Sequence, residues 1–174
     1  MNTILQPARF SSAFEIEVYI RPVDEQQDWQ ALDHGPGIFH IPPGHEVMVR
    51  VRRMDDHLLR ELVSELAGLP FLTALNLSEN RNITDAGLAY LHSLTHLTSL
   101  NLSSCRITDS GLAHLCALPH LESLNLAYCN RLTDACLKHI RAMPRLRYLD
   151  LLGCLSITHA GLSRLGRRNL TIHR

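Results

Sequence analysis

The amino-acid sequence predicts an α/β fold: a right-handed solenoid with a parallel sheet on its concave face and short helices on its convex face. Two observations predict it. Residues 72–169 divide into four segments of 24 or 25 residues that share one pattern, and a fixed period in this range is typical of stacked supersecondary units. Within each segment the apolar spacing changes from strand-like to helix-like. Each segment is therefore expected to form a strand, a turn and a helix.

The segment at residues 97–120 shows the unit most clearly. Leu100 and Leu102 are two residues apart, so both side chains lie on one face of a strand. After a turn, the apolar residues recur at helical spacing, which suits a helix that packs back on the strand. Thr108 and Asp109 stand at the expected helix start, where short polar side chains accept hydrogen bonds from free backbone N–H groups.

The four segments resemble the leucine-rich repeat family, specifically its cysteine-containing subtype, which is common in F-box proteins and also occurs in bacterial proteins. The resemblance rests on Leu-x-x-Leu-x-Leu, a following cysteine and Ile-Thr-Asp-x-Gly-Leu, which recur in register over residues 72–169 and more loosely over residues 46–71. Three positions depart from the pattern: Asn80 replaces a cysteine, Cys136 a glycine and His159 an aspartate. The resemblance implies a binding surface without chemistry.

The repeat pattern also predicts how the chain is divided. A solenoid exposes apolar surface at each end and needs terminal units with a polar outer face. We expect an N-terminal cap at residues 1–45, a degenerate first repeat at 46–71, four repeats at 72–169 and a terminal strand remnant at 170–174. Together they are expected to form one structural domain.

Within the cap, apolar residues alternate with polar ones and predict a half-buried strand. These apolar residues are Phe14, Ile16, Val18 and Ile20. The following residues 21–44 are rich in proline and glycine, so turns are expected there. The single tryptophan, Trp29, is expected to plug the end of the leucine core, the alternative being an exposed contact.

The degenerate repeat and the last strand complete the prediction. Val47, Val49 and Val51 alternate with polar residues and predict a strand, which a helix follows. The apolar residues of that helix are Leu58, Leu59, Leu62, Val63 and Leu66, after the acidic pair Asp55 and Asp56. At the other end, Leu170 and Ile172 predict a last strand. The charges expected to guard its edge are those of Arg167, Arg168 and Arg174.

Composition narrows the function classes. The 17 basic and 17 acidic residues give a formal net charge of zero, which argues against wholesale nucleic-acid binding. The sequence shows no apolar run of a signal peptide and no stretch long enough for a membrane helix, so we expect a cytoplasmic protein without membrane partners. We also expect a monomer. Cys105, Cys129 and Cys154 share one column of the repeat and are expected to be buried thiols that donate weakly to loop backbone.

Candidate chemical sites are weak. His92 and His96 have the spacing of metal ligands on a helix, but no carboxylate or cysteine recurs beside them. Asp109, Ser110 and His114 are close in sequence, but Asp109 already serves the helix start and no oxyanion hole accompanies them. We therefore expect no catalytic residue, no metal site and no cofactor.

The alternation of the strands predicts the binding surface. If Leu100 and Leu102 face the core, their neighbours face the concave side and form columns across the repeats. The first column contains Met48, Ala74, Ser99, Ser123 and Tyr148. The second contains Arg50, Asn76, Asn101, Asn125, Asp150 and Thr171. The third contains Arg52, Ser78, Ser103, Ala127, Leu152 and His173.

A partner segment is expected to contact the open parts of these columns. The predicted partner-binding residues are Arg50, Arg52, Asn76, Ser78, Asn101, Ser103, Asn125, Tyr148, Asp150 and Leu152. Arginine and tyrosine dominate interface energetics, so Arg50, Arg52 and Tyr148, with Asp150, are the expected anchors. The asparagine column also has a purely structural interpretation, as a ladder of solvated amides that stabilises its neighbours and binds nothing.

Three functions remain open from the sequence. The favoured one is a noncatalytic module that binds a protein or peptide partner on the concave sheet. The resemblance to F-box proteins implies an alternative, an adaptor that recruits clients to a ubiquitin ligase. The third is a structural or self-assembling repeat protein, in which the edge strand or the cap pairs between copies.

Overall fold

A computed structural model describes residues 7–24 and 27–174 of the protein. Its described residues contain one eight-stranded sheet with the strand order β2-β1-β3-β4-β5-β6-β7-β8. The strands are β1 (Ala8–Pro22), β2 (Gln30–Ile41), β3 (His45–Val51), β4 (Leu72–Asn76), β5 (Ser99–Asn101), β6 (Ser123–Asn125), β7 (Tyr148–Asp150) and β8 (Thr171–His173). Strands β3 to β8 are parallel.

A helical segment follows each of the strands β3 to β7. The helices are α1 (Asp56–Leu66), α2 (Asp85–Leu88), α3 (Leu112–Leu115), α4 (Leu137–Arg141) and α5 (His159–Leu165). A 3₁₀ turn at Ala89–Ser93 follows α2, and another at Asp134–Cys136 precedes α4. The predicted α/β solenoid, with a parallel sheet and short helices, is confirmed.

The N-terminal hairpin extends the sheet. Strand β1 pairs antiparallel with both β2 and β3, so the sheet continues past the first parallel strand. Residues 30–41, where turns were predicted, form strand β2. A proline is tolerated there because β2 is an edge strand, and the pairing register shifts at the same point, between Ser12 and Ile16, opposite Gly35 and Gly37. Gly35 has a φ of 102°, which favours glycine.

Phenylalanines, not tryptophan, fill the core beneath the hairpin. Phe10 stacks on Phe39 with ring centroids 5.0 Å apart, and Phe71 lies 6.1 Å from Phe10. All three are buried. The prediction that Trp29 plugs the core is wrong: it is only half-buried, just before β2, and the Arg21 guanidinium lies 4.4 Å from its ring centroid.

The leucines of the repeats form the rest of the core. One leucine of each of strands β4 to β7 is fully or almost fully buried, and so are those that pack on them from the helices. Burial of one such side chain contributes about 1.5–3 kcal/mol. Helices α2 and α3 have only four residues each, and helices this short are not stable in isolation. Their stability therefore comes from packing and from bonds between repeats.

The last strand differs from its predicted register by two residues. Thr171 pairs with Tyr148 and His173 with Asp150, whereas the columns predicted Thr171 beside Asp150 and His173 beside Leu152. Ile172, not Leu170, continues the column of Leu149, because the step between them is 23 residues, shorter than the other repeats. Helix α5 ends at Gly166, which has a φ of 66° and turns the chain early.

Arg167 does not guard the edge by charge as predicted. It donates hydrogen bonds to three backbone carbonyls of the preceding repeat, those of Ile140, Met143 and Pro144, and to that of Leu146 at the start of its own repeat. Arg174 likewise donates to the carbonyl of Ile157 at 2.9 Å. Both side chains therefore tie the C-terminal strand to the repeats before it.

Candidate functional site

The open face of the sheet carries the predicted columns. Strand pairing places Ser99, Ser123 and Tyr148 side by side, and Asn101 next to Asn125. The same pairing joins these columns to Met48 and Arg50 through Ala74 and Asn76. The first two columns therefore have the predicted register as far as Tyr148 and Asp150. Two members of the three columns, Ala74 and Ala127, are buried and add no contact surface.

The asparagine column turns the chain at the end of each strand. Its side-chain oxygens accept hydrogen bonds from the backbone N–H two residues on, at 2.9 to 3.0 Å. The pairs are Asn76 with Ser78, Asn101 with Ser103, and Asn125 with Ala127, and Asp150 accepts from Leu152 in the same way. This is the Asx-turn geometry. The structural interpretation of the asparagine column thus explains the role of the side-chain oxygens. The side-chain N–H₂ groups of the same asparagines have no partner in the described ranges.

A charged cluster stands at the hairpin end of the face. Arg50 and Arg52 approach the carboxylate of Glu17 at 3.7 Å and 3.3 Å, and the Tyr19 hydroxyl donates to it at 2.7 Å. The Tyr19 hydrogen bond, and then the two guanidinium groups and His34, lower the pKa of Glu17. The same hydrogen bond raises the pKa of Tyr19. The positive charges of both arginines are therefore partly compensated within the chain.

Glu17 and Tyr19 are members of this face that sequence reasoning missed. They lie opposite Arg50 and Met48 in the β1–β3 pairing. The signal was present, because alternation along β1 places Glu17 and Tyr19 on the side opposite the buried Ile16.

The opposite end of the face is more apolar. Tyr148 and Leu152 are 39% and 37% exposed, which is unusual for large apolar side chains. Asp150 lies between these two residues in the sequence. Its carboxylate accepts a hydrogen bond from the backbone N–H of Leu152 and lies 3.1 Å from His173 Nδ1. Asp150 is therefore held in place by the chain, whereas the two apolar groups are open.

The cysteine column joins neighbouring repeats. Cys105, Cys129 and Cys154 are buried, and their thiols donate to the carbonyl of a leucine in the preceding repeat at 3.1 to 3.2 Å. The acceptors are the carbonyls of Leu77, Leu102 and Leu126. This confirms the predicted role of the column. All five cysteines are free thiols.

Asn80 takes the place of a cysteine and makes more bonds. Its Nδ2 donates to the carbonyl of Val51 at 3.0 Å, the same kind of bond that the thiols make, and to Leu77 at 2.9 Å. Its Oδ1 accepts from the backbone N–H of Met54 at 2.8 Å. The residue is 3% exposed. Asn80 thus satisfies backbone groups on both sides of the junction with the degenerate repeat.

Asp56 and the aspartates of the Thr-Asp pairs form a second inter-repeat ladder. Each carboxylate accepts both the backbone N–H and the hydroxyl of the threonine in the next repeat. The pairs are Asp56 with Thr84, Asp85 with Thr108, Asp109 with Thr133, and Asp134 with Thr158. The hydrogen bonds from Thr158 lower the pKa of Asp134. The predicted capping is present at Thr84, Thr133 and Thr158, which each accept from a first-turn N–H. It is wrong for Thr108, because helix α3 begins after Gly111 without a side-chain cap and Thr108 accepts from the Ser110 N–H in the turn before it.

The ladder explains the glycine of the repeat pattern. A Cβ at Gly87, Gly111 or Gly161 would overlap the carboxylate of the aspartate one repeat earlier. The third repeat has Cys136 at this position, and there the helix begins as a 3₁₀ turn. The series of carboxylate acceptors ends in the fourth repeat, where His159 stands at the position of the aspartate. The His159 ring contacts the Ser163 hydroxyl and accepts no hydrogen bond from a threonine in the described ranges.

In the part of the chain that the structure describes, His92 and His96 belong to no cluster with the arrangement of a metal site. In residues 7–24 and 27–174, no group of three or more histidine, cysteine or acidic side chains has the arrangement of a metal site. The His92 ring instead contacts the carbonyl of Ala89 at 2.7 Å. Among the described helices, none is long and apolar enough to cross a membrane.

Comparison with known proteins agrees with this geometry. A family model described as leucine rich repeats in two copies matches residues 95–139, and one described as a leucine rich repeat matches residues 68–91. The chain is similar in fold to a solved structure of the Rad7 and Elc1 complex in yeast, with a TM-score of 0.59 and 22% sequence identity. That likeness covers 68% of this chain and only 29% of the other. No curated protein matches the sequence.

Proposed function

We propose that this protein is a noncatalytic protein-interaction module that binds a partner segment on the concave face of its sheet. The observation that carries the proposal is the row of amide N–H₂ groups on Asn76, Asn101 and Asn125, which have no partner among the described residues. The proposed contact residues are Arg50, Arg52, Asn76, Ser78, Asn101, Ser103, Asn125, Tyr148, Asp150 and Leu152, with Glu17 and Tyr19 added. The leucine-rich repeat matches support a protein partner.

The size of the face limits what it can hold. Six parallel strands spaced about 4.8 Å apart span about 24 Å, and the hairpin strands lengthen the face beyond β3. This length suits one helix or loop of a partner. The amide donors would pair with carbonyl or carboxylate oxygens, while Tyr148 and Leu152 offer apolar contact at one end.

The charged end imposes a condition on the partner. An acidic group that approaches Arg50 and Arg52 has to compete with Glu17, which already contacts both. A basic group would meet two guanidinium groups against one carboxylate and be repelled. The cluster is therefore expected to select against a partner with basic side chains at this end.

Affinity capture with three forms of the protein tests the proposal. The first is wild type and the second carries Arg50→Ala, Tyr148→Ala and Asp150→Asn, the last chosen because an asparagine keeps the turn to Leu152. The third carries His114→Ala, Lys138→Ala and Arg164→Ala on exposed positions of the helical side. We expect proteins captured by wild type and by the helical-side variant to be lost from the concave variant. Equal capture by all three forms would overturn the proposal.

A second candidate is an adaptor that recruits clients to a ubiquitin ligase. It is favoured by the cysteine column, which resembles the subtype common in F-box proteins and which here links the repeats through thiol hydrogen bonds. Copurification of ligase subunits that survives the concave substitutions would support it, and their absence from wild-type complexes would exclude it.

Self-assembly through the sheet edges is the remaining candidate. Strands β2 and β8 are the edges of the described sheet, and an edge strand can pair with another chain. We propose instead that the protein is a monomer in the cytoplasm. Sedimentation at rising protein concentration distinguishes a monomer from edge pairing, since edge pairing would give a dimer.

A further inference from the structure

Three arginines from successive repeats line one groove at the carboxyl ends of the strands. They are Arg81, Arg106 and Arg131, and the groove has a volume of about 490 Å³. Its other lining residues are Ser104, Cys105, Tyr128 and Asn130. Each arginine follows the buried inter-repeat residue of its repeat, Asn80, Cys105 or Cys129, by one or two positions. The buried side chains therefore fix where each arginine leaves the fold.

The guanidinium groups of these three arginines are unpaired. Within residues 7–24 and 27–174, none of them makes a hydrogen bond or an ion pair, and all three residues are exposed. No carboxylate lines the groove; Glu79, in the same turn as Arg81, makes no ion pair with it. Some other arginines are engaged: Arg21 pairs with Glu46, and Arg167 donates to four carbonyls.

The spacing of the repeats brings these charges together. Neighbouring strands are about 4.8 Å apart, so long side chains from three successive repeats can reach one bound group. Three positive charges along one groove repel one another, and no acidic side chain lines the groove to offset the repulsion. An anion would remove it, and the guanidinium fork pairs with phosphate through two parallel hydrogen bonds.

The remaining lining residues suit an anion with an organic flank. Ser104 and Asn130 add a hydroxyl and an amide as donors. Tyr128 forms a wall whose ring lies so close to the backbone of Gly153 that a Cβ at that position would overlap it. The Cys105 thiol donates to Leu77 and is buried, so it brings no negative charge.

The groove favours a phosphoryl group over other anions. Three arginines around one groove match a compact, doubly charged group, whereas a carboxylate carries a single charge. A nucleic-acid backbone would need a longer basic path, but the next repeat has Leu155 and Ser156 at the corresponding positions. Leu155 is 88% exposed and Tyr128 is 54% exposed, which gives apolar side chains beside the charged groups.

We propose that the groove of Arg81, Arg106 and Arg131 binds a phosphoryl group carried on a protein segment, a phosphoserine or a phosphothreonine. The proposal rests on the proposed function only in taking a protein as the partner. The groove lies at the loop edge and shares no residue with the concave contact set, so its failure and that of the proposed function are distinguishable.

Fluorescence polarisation tests the groove with defined probes. The probes are a random-sequence peptide pool with one fixed phosphothreonine, the same pool with threonine, and a single-stranded oligonucleotide. We expect the phosphorylated pool to bind at least ten-fold more tightly than the unphosphorylated pool, and inorganic phosphate to compete. Equal binding of the two peptide pools, or binding of the oligonucleotide alone, overturns the proposal. Binding of inorganic phosphate without the phosphorylated pool also overturns it.

Variants with matched charge locate the binding. Arg81→Gln, Arg106→Gln and Arg131→Gln together are expected to weaken binding of the phosphorylated pool at least ten-fold. A control with Arg60→Gln, Arg147→Gln and Arg168→Gln removes the same charge from exposed side chains outside the groove and is expected to bind as wild type does. Equal effects of the two variants overturn the proposal. NMR shifts of the arginine Nε–H groups in wild type on phosphate addition give a reading that needs no variant, and shifts confined to other arginines would also contradict it.

Discussion

Thr133 donates two hydrogen bonds to Asp109 of the preceding repeat, one from its backbone N–H at 2.8 Å and one from its hydroxyl at 2.6 Å. The same Thr133 accepts from the backbone N–H of Ala135 and so begins the next helical turn. One threonine therefore orders its own repeat and fastens it to the one before. This dual role explains why the Thr-Asp pair recurs with the period of the solenoid.

Removing one rung of this ladder should destabilise the stack. Asp109→Ala deletes the acceptor of both hydrogen bonds, so we expect a loss of about 1–3 kcal/mol in the free energy of unfolding. Urea denaturation measures it. His159→Ala is the matched control, because His159 occupies the equivalent position without a threonine donor, and it should change stability by at most about 0.5 kcal/mol. Equal losses in the two variants would contradict the ladder.

The glycine and the aspartate of neighbouring repeats should be energetically coupled. Gly111→Ala forces a Cβ into the Asp85 carboxylate, so it should cost about 1–3 kcal/mol in the wild-type background. With Asp85→Ala already present, only the approach of the Cβ to Leu88 Cδ1 at 3.2 Å remains, so the same substitution should cost much less. A double-mutant cycle by denaturation measures the coupling, and additive effects would show that the carboxylate does not impose the glycine.

Asn80 should be replaceable by cysteine only in part. Asn80→Ala leaves the buried Met54 N–H and Val51 carbonyl without their partner, so a loss of about 2–4 kcal/mol is expected. Asn80→Cys restores a donor toward Val51, as in the other repeats, but leaves the Met54 N–H unpaired. Its stability should lie between those of wild type and the alanine variant. A cysteine variant as stable as wild type would show that the Met54 bond contributes nothing.

The buried thiols predict a loss of stability in alkali. Burial raises the pKa of the Cys105, Cys129 and Cys136 thiols to about 12 from an ordinary value of 9.0. Above pH 9 the unfolded chain releases these protons while the folded chain retains them. The stability they contribute is therefore complete below pH 9 and is lost as the pH rises toward 12. Denaturation midpoints between pH 8 and pH 11 should show this fall.

A variant without the three thiols checks their part in that pH dependence. Cys105→Ala, Cys129→Ala and Cys136→Ala together should lower stability at pH 8, since each substitution leaves a buried void. Between pH 9 and pH 11 the stability of this variant should fall less steeply than that of wild type. Parallel slopes would assign the alkaline transition to other groups.

Glu17 should control the titration of Tyr19. Its carboxylate accepts the Tyr19 hydroxyl at 2.7 Å and raises the pKa of that phenol. Glu17→Gln removes the negative charge, so the phenol should lose its proton at lower pH, which absorbance at the tyrosinate band measures. Glu15→Gln is the control, because Glu15 lies nearby on β1 without contact to Tyr19. An unchanged Tyr19 titration in the Glu17 variant would contradict the contact.

The parts of the fold that repeat could be predicted from the sequence. The leucine spacing placed Leu100 in the core and Asn101 and Asn125 side by side, because each copy confirms the others. Features that occur only once in the chain were harder to predict. Strand β2 was missed because its proline and glycines favour turns, and the proline is tolerated only because β2 is an edge strand. Trp29, which also occurs once, was predicted in the core but lies half-buried beside Arg21.

Apart from the cysteine column, contacts between repeats could not be predicted from the sequence pattern. Asp109 fits a helix start on local grounds, and nothing in its own segment indicates that its hydrogen bonds go to Thr133, 24 residues later. The groove of Arg81, Arg106 and Arg131 was not predicted for a related reason. Its arginines stand in segments of unequal length, so they do not recur at one fixed spacing in the sequence.

The thiol and threonine bonds between repeats, and the bond from the Asn80 amide to Val51, run in one direction. In each of them the donor belongs to the later repeat and the acceptor to the earlier one, and the Met54 N–H bond to Asn80 Oδ1 is the exception. A ribosome makes the chain in that order. Every newly emerged repeat thus meets acceptors that are already in place, and the solenoid can lengthen by one docked repeat at a time during synthesis.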